Sequence, residues 1–237
     1  MTVSTAGAPD DVRERQELLR GVVYERRDES VALRLDAPWQ VLSSAVLGGG
    51  RRHARGVVNL HVPVTYSDDR PERTLRDAAR ALGLAGPVVG LMTAVDLAEA
   101  RVVAGQAGGA AVRAVVTVGL RNASRPGEPA VAAPGTINAI FLCEARLREA
   151  AAVELAMLLA EAKAATLIES GLRTSSGRRA SGTSTDAVAI LWRRAGVPEI
   201  RHAGAATELG ELAGRIMAEA IESTVARMGV QTPGQPR

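Results

Sequence analysis

The stretch TINAIFLCEARLREAAAVELAMLLAEAKAATLIESG, residues 136–171, carries the two kinds of element from which this chain is built. Thr136 to Cys143 is an apolar, β-branched run entered through Pro134 and Gly135, and reads as a buried strand. Leu147 to Ser170 then reads as one long helix, with Gly171 as its stop. The helix is apolar all round, which predicts burial on several sides. A buried strand feeding a long helix implies a sheet with helices laid on it.

Working outward, the segments towards the N-terminus read mostly as strands. Val31, Leu33 and Leu35 alternate with Ala32 and Arg34, the period of a half-buried strand, and Val22 to Arg26 can pair with it across Arg27-Asp28-Glu29-Ser30. Trp39 to Val46 and Gly56 to Val62 follow as strands joined through Gly48-Gly49-Gly50. Pro87 to Thr93 and Val112 to Leu120 are further apolar strands, and Arg70 to Leu82 is a short helix ending near Gly83. On the C-terminal side, Asp186 to Trp192 is a strand and Thr207 to Met228 a helix. In that helix Leu209, Leu212, Ile216, Ile221 and Val225 share one stripe, Thr207 is placed to cap it, and Glu208 suits the first-turn dipole. Strands early and long helices late predict an α/β chain of the α+β kind: a single domain with a mixed sheet, helices packed on it and long C-terminal helices. The domain spans 19–228, between a polar segment 1–18, expected to be flexible and helical only in part, and a flexible tail 229–237.

The bulk numbers agree. The chain has 237 residues, within reach of one large domain, and 46% of them are apolar. Phe141, Tyr24, Tyr66, Trp39 and Trp192 are the whole aromatic set, too few for a base-stacking surface, so nucleic acid is not an expected partner. The net charge is only +3, and the pI near 9.7 reflects the dominance of Arg. Cys143 is the single cysteine, which fits a reducing compartment. No secretory signal is expected, and no apolar run approaches the roughly 20 residues that span a bilayer. The expected location is therefore the cytoplasm, with no membrane partner. A homo-oligomer is compatible with the sequence.

Four small, polar, Gly-flanked stretches recur at strand ends. They are Leu42-Ser43-Ser44-Ala45 with Gly48 to Gly50, Thr117 to Ala123, Gly135-Thr136-Ile137-Asn138, and Ser181 to Asp186. Such loops let a ligand approach the backbone closely and offer many hydrogen bonds, although the same residues also serve as turn chemistry. Four together point to a shared site. Lys163, the only lysine, falls between Leu159 and Leu167 on a stripe that otherwise reads as core, while Glu161 lies on another face. A buried ammonium would hold a carboxylate, orient a nucleophile or act as a base; the plainer alternative is a side chain reaching out to solvent. His53 and His61 are separated by roughly 26 Å along one strand and cannot share an ion. No phosphate loop, zinc spacing or nucleophile elbow is present. Cys143 reads as a structural thiol.

In order, LSSAVLGGG (42–50), GLMTAVD (90–96), VTVGLRNA (116–123), GTINAIFL (135–142), EAKAATLIESG (161–171), SGTSTDAVAI (181–190) and HAGAATELGELAG (202–214) resemble the adenosylcobinamide amidohydrolase family. The resemblance implies hydrolysis of the amide between a corrin-ring propionate and aminopropanol in adenosylcobinamide. The products are adenosylcobyric acid and 1-amino-2-propanol, a step of cobamide salvage. It implies no required metal or cofactor; the cobalt belongs to the adenosylated corrinoid, which is the substrate and the expected small-molecule partner. Asp186, Lys163, Thr183, Thr185, His202 and Glu161 are its catalytic candidates. Ser43, Ser44, Gly49, Gly50, Thr93, Thr117, Asn122, Thr136, Asn138 and Gly182 are candidates for binding. Within the first group, Asp186 is the expected base or orienter, the loop 183–185 supplies a nucleophile or holds a water, and Lys163 or His202 handles the proton. Asn122 and Asn138 are expected to stabilise the oxyanion. The sequence departs from the family pattern at Gly48, where Asn is usual, at Arg121, where Ser is usual, and at Ser181 and Ser184. A non-catalytic corrinoid-binding module, or a hydrolase of a different amide, are the alternatives.

Overall fold

A computed structural model of the chain describes residues 11–129, 133, 135–195 and 197–228. Its strands are β1 (Glu14–Leu19), β2 (Val22–Arg26), β3 (Ser30–Ser43), β4 (Gly50–His61), β5 (Val88–Thr93), β6 (Arg101–Ala107), β7 (Ala110–Val118), β8 (Ala123–Ser124), β9 (Ile137–Cys143), β10 (Arg146–Leu147), β11 (Gly182–Thr183), β12 (Ala187–Trp192) and β13 (Glu199–Ile200). Its helices are α1 (Pro71–Ala81), α2 (Glu149–Glu169) and α3 (Glu208–Arg227). Nine strands form one curled mixed sheet in the order β1-β2-β3-β12-β9-β7-β6, with β4 on the other edge of β3 and β5 beyond it.

The buried strand β9 is the centre of this arrangement. It pairs in parallel with β12 and antiparallel with β7, and all seven of its residues are buried. A strand covered on both faces has no solvated side, hence a run that is apolar apart from Asn138. Ile137, Ala139 and Phe141 pack towards α2 and α3, together with Leu155, Leu159, Ile216 and Ile221. Ile140 and Leu142 pack the opposite way, among Leu33, Val57, Leu91 and Trp39 inside the curl of the sheet. The two cores are therefore back to back across the same strands.

β3 joins the halves. Its first part pairs with β2 and its last part, Gln40 to Ser43, with β12, while β4 follows it on the other edge. The register slips between Arg34 and Trp39, around Pro38, which has no N–H to give a ladder. The sequence reading broke this strand in two; the pairing runs through the slip. The loop Ser44–Gly49 folds back so that Leu47 bridges Gly90 of β5, with Gly48 at φ +76°.

Two expectations need correction. Glu14 to Leu19, of which all but Leu19 falls in the segment expected to be flexible, is an edge strand whose Leu18 and Leu19 are 5% exposed. Its polar residues face water, and two adjacent leucines are too short a signal to reveal a strand. α2 is also not buried on all sides: Val153 and Met157 are 49% and 68% exposed. The tail 229–237 lies outside the described residues. α3 matches its expected span, with Thr207 accepting from the Gly210 N–H at 3.0 Å.

Candidate active site

β9 and β12 start side by side, with Asn138 level with Ala187. Residues alternate in direction along a strand, so this edge presents different side chains to its two faces. Thr136, Asn138, Thr185 and Ala187 line a cleft of about 470 Å³. Ile137 and Asp186 point the other way, to the face covered by α2.

On the helix side, Asp186 is a hub. Its Oδ1 accepts from the Ile137 N–H at 3.0 Å and from the Thr183 hydroxyl. Its Oδ2 accepts from the Thr183 N–H at 3.0 Å and from Lys163 Nζ. About four lone-pair sites are available on a carboxylate, and all are engaged. Lys163 reaches in from α2, and the pair is only partly open, at 18% and 13% side-chain exposure. Gly182 makes that approach feasible: a Cβ there would lie 2.8 Å from Asp186 Oδ2 and 3.2 Å from Lys163 Nζ. β11, which carries Gly182 and Thr183, is held by antiparallel pairing with β8. A hydroxyl bonded to a base that a third group orients is the arrangement of an activated nucleophile.

On the cleft side the groups are neutral. Thr136 Oγ1 donates to the Thr185 carbonyl at 2.7 Å, and Thr185 Oγ1 donates to the Gly135 carbonyl at 2.9 Å. Asn138 Nδ2 donates to the Met92 carbonyl at 2.8 Å and to Asn59 Oδ1 at 2.9 Å. Asn59 Nδ2 in turn donates to Thr117 Oγ1 at 3.2 Å. Val62, Leu91 and Met92 make up much of the apolar wall.

The structure brings Lys163, Thr183 and Asp186 into contact and sets Thr93, Thr136, Asn138 and Thr185 in the adjoining cleft. Asn122 is tied to the same loop through a 2.7 Å bond from its Nδ2 to Ser184 Oγ. Gly49 and Gly50 shape the turn between β3 and β4; a Cβ at Gly49 would meet the Ala45 carbonyl at 2.7 Å, and Gly50 sits at φ +83°. Ser43 and Ser44 bond to the carbonyl and the N–H of Val188, so they fasten the β3 end to β12. Thr93 Oγ1 accepts from the Val95 N–H and closes the end of β5.

Two of the catalytic candidates stand elsewhere. His202 is 74% exposed and lies 3.5 Å from Glu154 of α2, nine residues and roughly 13 Å along the helix from Lys163. Glu161 is exposed, because residues two apart point to different sides of a helix. The expected oxyanion role of Asn138 also fails, since both of its N–H bonds are already given to acceptors. Asn59 was missed, and its signal was a lone amide inside the apolar run of β4. Cys143 is buried and burial pushes its thiol up to about 12, as suits a structural residue. Among the described residues no three His, Cys, Asp or Glu side chains gather as a metal would need.

The fold and this site define an α/β enzyme in which a hydroxyl–carboxylate–lysine chain stands behind a cleft lined with hydroxyls and a buried amide. The chain belongs to the adenosylcobinamide amidohydrolase family, whose model matches residues 14–232. It is 30% identical over 196 residues to the adenosylcobinamide amidohydrolase of Methanosarcina mazei, covering 79% of this chain and 90% of that one. It is 29% identical over 224 residues to the protein of that name from Halobacterium salinarum, covering 89% and 91%. A crystallographically solved protein of Pyrococcus horikoshii OT3 covers 89% of this chain and 80% of its own at 14% identity and a TM-score of 0.43, too loose a likeness to bear on the site.

Proposed function

We propose that this chain hydrolyses the amide joining a corrin-ring propionate to aminopropanol in adenosylcobinamide, giving adenosylcobyric acid and 1-amino-2-propanol. Family membership supplies the substrate, and the contact of Thr183, Asp186 and Lys163 is the observation that carries the chemistry. Thr183 Oγ1 attacks the scissile carbonyl carbon while its proton passes to Asp186 Oδ1. Collapse of the tetrahedral intermediate breaks the C–N bond, and the leaving nitrogen takes that proton. Water then attacks the acyl-threonine ester, releases the carboxylic acid and restores the hydroxyl. Lys163 holds the second carboxylate oxygen and keeps Oδ1 turned towards Thr183. The cleft receives the corrinoid ring, whose peripheral amides suit a hydrogen-bonding rim, and the aminopropanol arm passes over the strand ends at Thr136 and Thr185 to Thr183 on the helix side.

The scheme draws on no resident metal or cofactor, and the cobalt enters with the substrate. A protein with one buried cysteine acting on a small intracellular metabolite fits the cytoplasm. No helix among the described residues is long and apolar enough to cross a membrane.

The test is incubation of the protein with adenosylcobinamide and mass analysis of the corrinoid. Loss of the aminopropanol unit with gain of a free carboxylate is expected. Asp186→Asn is expected to lower kcat at least about 100-fold with the circular dichroism spectrum unchanged, the usual size of a lost proton-transfer group. Retention of corrinoid at unchanged mass would favour a binding module, and full turnover by a folded Asp186→Asn protein would remove the carboxylate from the mechanism.

A further inference from the structure

We propose that Asn138, locked in place by Asn59, is a fixed hydrogen-bond acceptor that takes one peripheral carboxamide N–H of the corrinoid and rejects the corresponding carboxylate. The proposal rests on the corrinoid reading above and names what the cleft recognises.

Both asparagines are 1% exposed. The Met92 carbonyl can only accept, so the amide of Asn138 must turn its NH₂ towards it. The second N–H of Asn138 goes to Asn59 Oδ1, which turns the Asn59 oxygen towards Asn138 and leaves its own NH₂ for Thr117 Oγ1. A flip of either amide would set carbonyl against carbonyl or NH₂ against NH₂. Orientation is thus passed from a backbone carbonyl on β5 through two side chains.

The outcome is an acceptor without a donor. Asn138 lines the cleft, and its Oδ1 is buried with no hydrogen bond among the described residues. Leaving a buried acceptor unpaired is costly, and a ligand N–H would recover that cost. A carboxylate offers no donor and would set a negative oxygen against the Oδ1 lone pairs. A site of this polarity accepts a corrinoid side chain as its amide and not as its acid.

The experiment compares adenosylcobinamide with its separated monocarboxylic acids, in each of which one peripheral carboxamide is hydrolysed. kcat/KM and Kd are measured for the wild-type protein, Asn59→Leu and Asn59→Asp. For the wild type, at least one isomer is expected to fall about tenfold or more below the parent, the scale of one unmet buried hydrogen bond. Asn59→Leu should shrink that ratio towards one by lowering the parent and sparing the isomer. Asn59→Asp should preserve it, because a carboxylate still accepts from Asn138 and from the Thr117 hydroxyl. If Asn59→Leu does not fold, Asn138→Ala removes the acceptor directly and should give the same flattened ratio. Equal values for parent and all isomers in the wild type would overturn the proposal. So would an Asn59→Leu protein that loses the same factor on every corrinoid, the mark of a merely structural residue. Activity and binding absent on every corrinoid would overturn the proposed function and this inference with it, whereas activity on all with no discrimination overturns the inference alone.

Discussion

Gly182 leaves room for Lys163 to reach Asp186 and for nothing larger than hydrogen between them. Gly182→Ala is therefore expected to push Lys163 off the carboxylate and reduce kcat by at least about tenfold, measured in the same corrinoid assay beside a wild-type melting curve. At this scale the sequence was informative where a residue broke the character of its surroundings. Lys163 on an apolar stripe and Asp186 at the head of a strand could be singled out, and they meet. His202 and Glu161 lie within the family's motifs, but the folded positions of those motifs set them apart from the hub. Asn59 lay between two motifs, and only the path of β4 beside β5 brings it to Asn138.

Short edge elements behave differently from the central ones. β1 holds the start of the sheet through Leu18 and Leu19, and Leu18→Ala is expected to cost about 2–5 kcal/mol, read from chemical denaturation, as for other leucines buried to this degree. β13 carries Glu199, whose carboxyl Arg146 first and Arg148 second hold down to about 2 from its ordinary 4.5. A carboxylate with a depressed folded value adds stability that is present above about 4.5 and is lost as the pH falls towards about 2. Glu199→Gln should accordingly melt below the wild type near neutrality and converge with it across that window, in a series of thermal scans. The central strands and α2 could be read from long apolar runs and α3 from its helical stripe, since long apolar segments report their burial. β8, β10, β11 and β13 are two residues each, too short to carry any period, and exist through their partners.

For the molecule as a whole, one sheet separates two large cores, each with a single tryptophan, and a third, small cluster lies under α1 around Leu75 and Ala79. Trp39 lies inside the curl and Trp192 faces the long helices. Because β7, β9 and β12 contribute side chains to both, neither core can dissolve while the other stands. Trp39→Phe and Trp192→Phe should each show one transition, in which fluorescence and far-ultraviolet circular dichroism share a midpoint. Separate midpoints would mean that the two faces come apart independently. The α+β class was legible because strands gather early and helices late. The curl was not, since it brings the loop after β3 back to bridge β5, and no local pattern announces that contact.

Lys163 is the only lysine in the chain. An amine-selective acylating reagent therefore has one side chain to find, and that side chain is clamped in the hub. Modification there would replace a cation with a neutral amide and leave Asp186 without its ion pair. Labelling at that position should thus silence the enzyme stoichiometrically, with bound substrate protecting it. Coupling to an amine-reactive dye or support spares the enzyme only when it is confined to the terminal α-amino group.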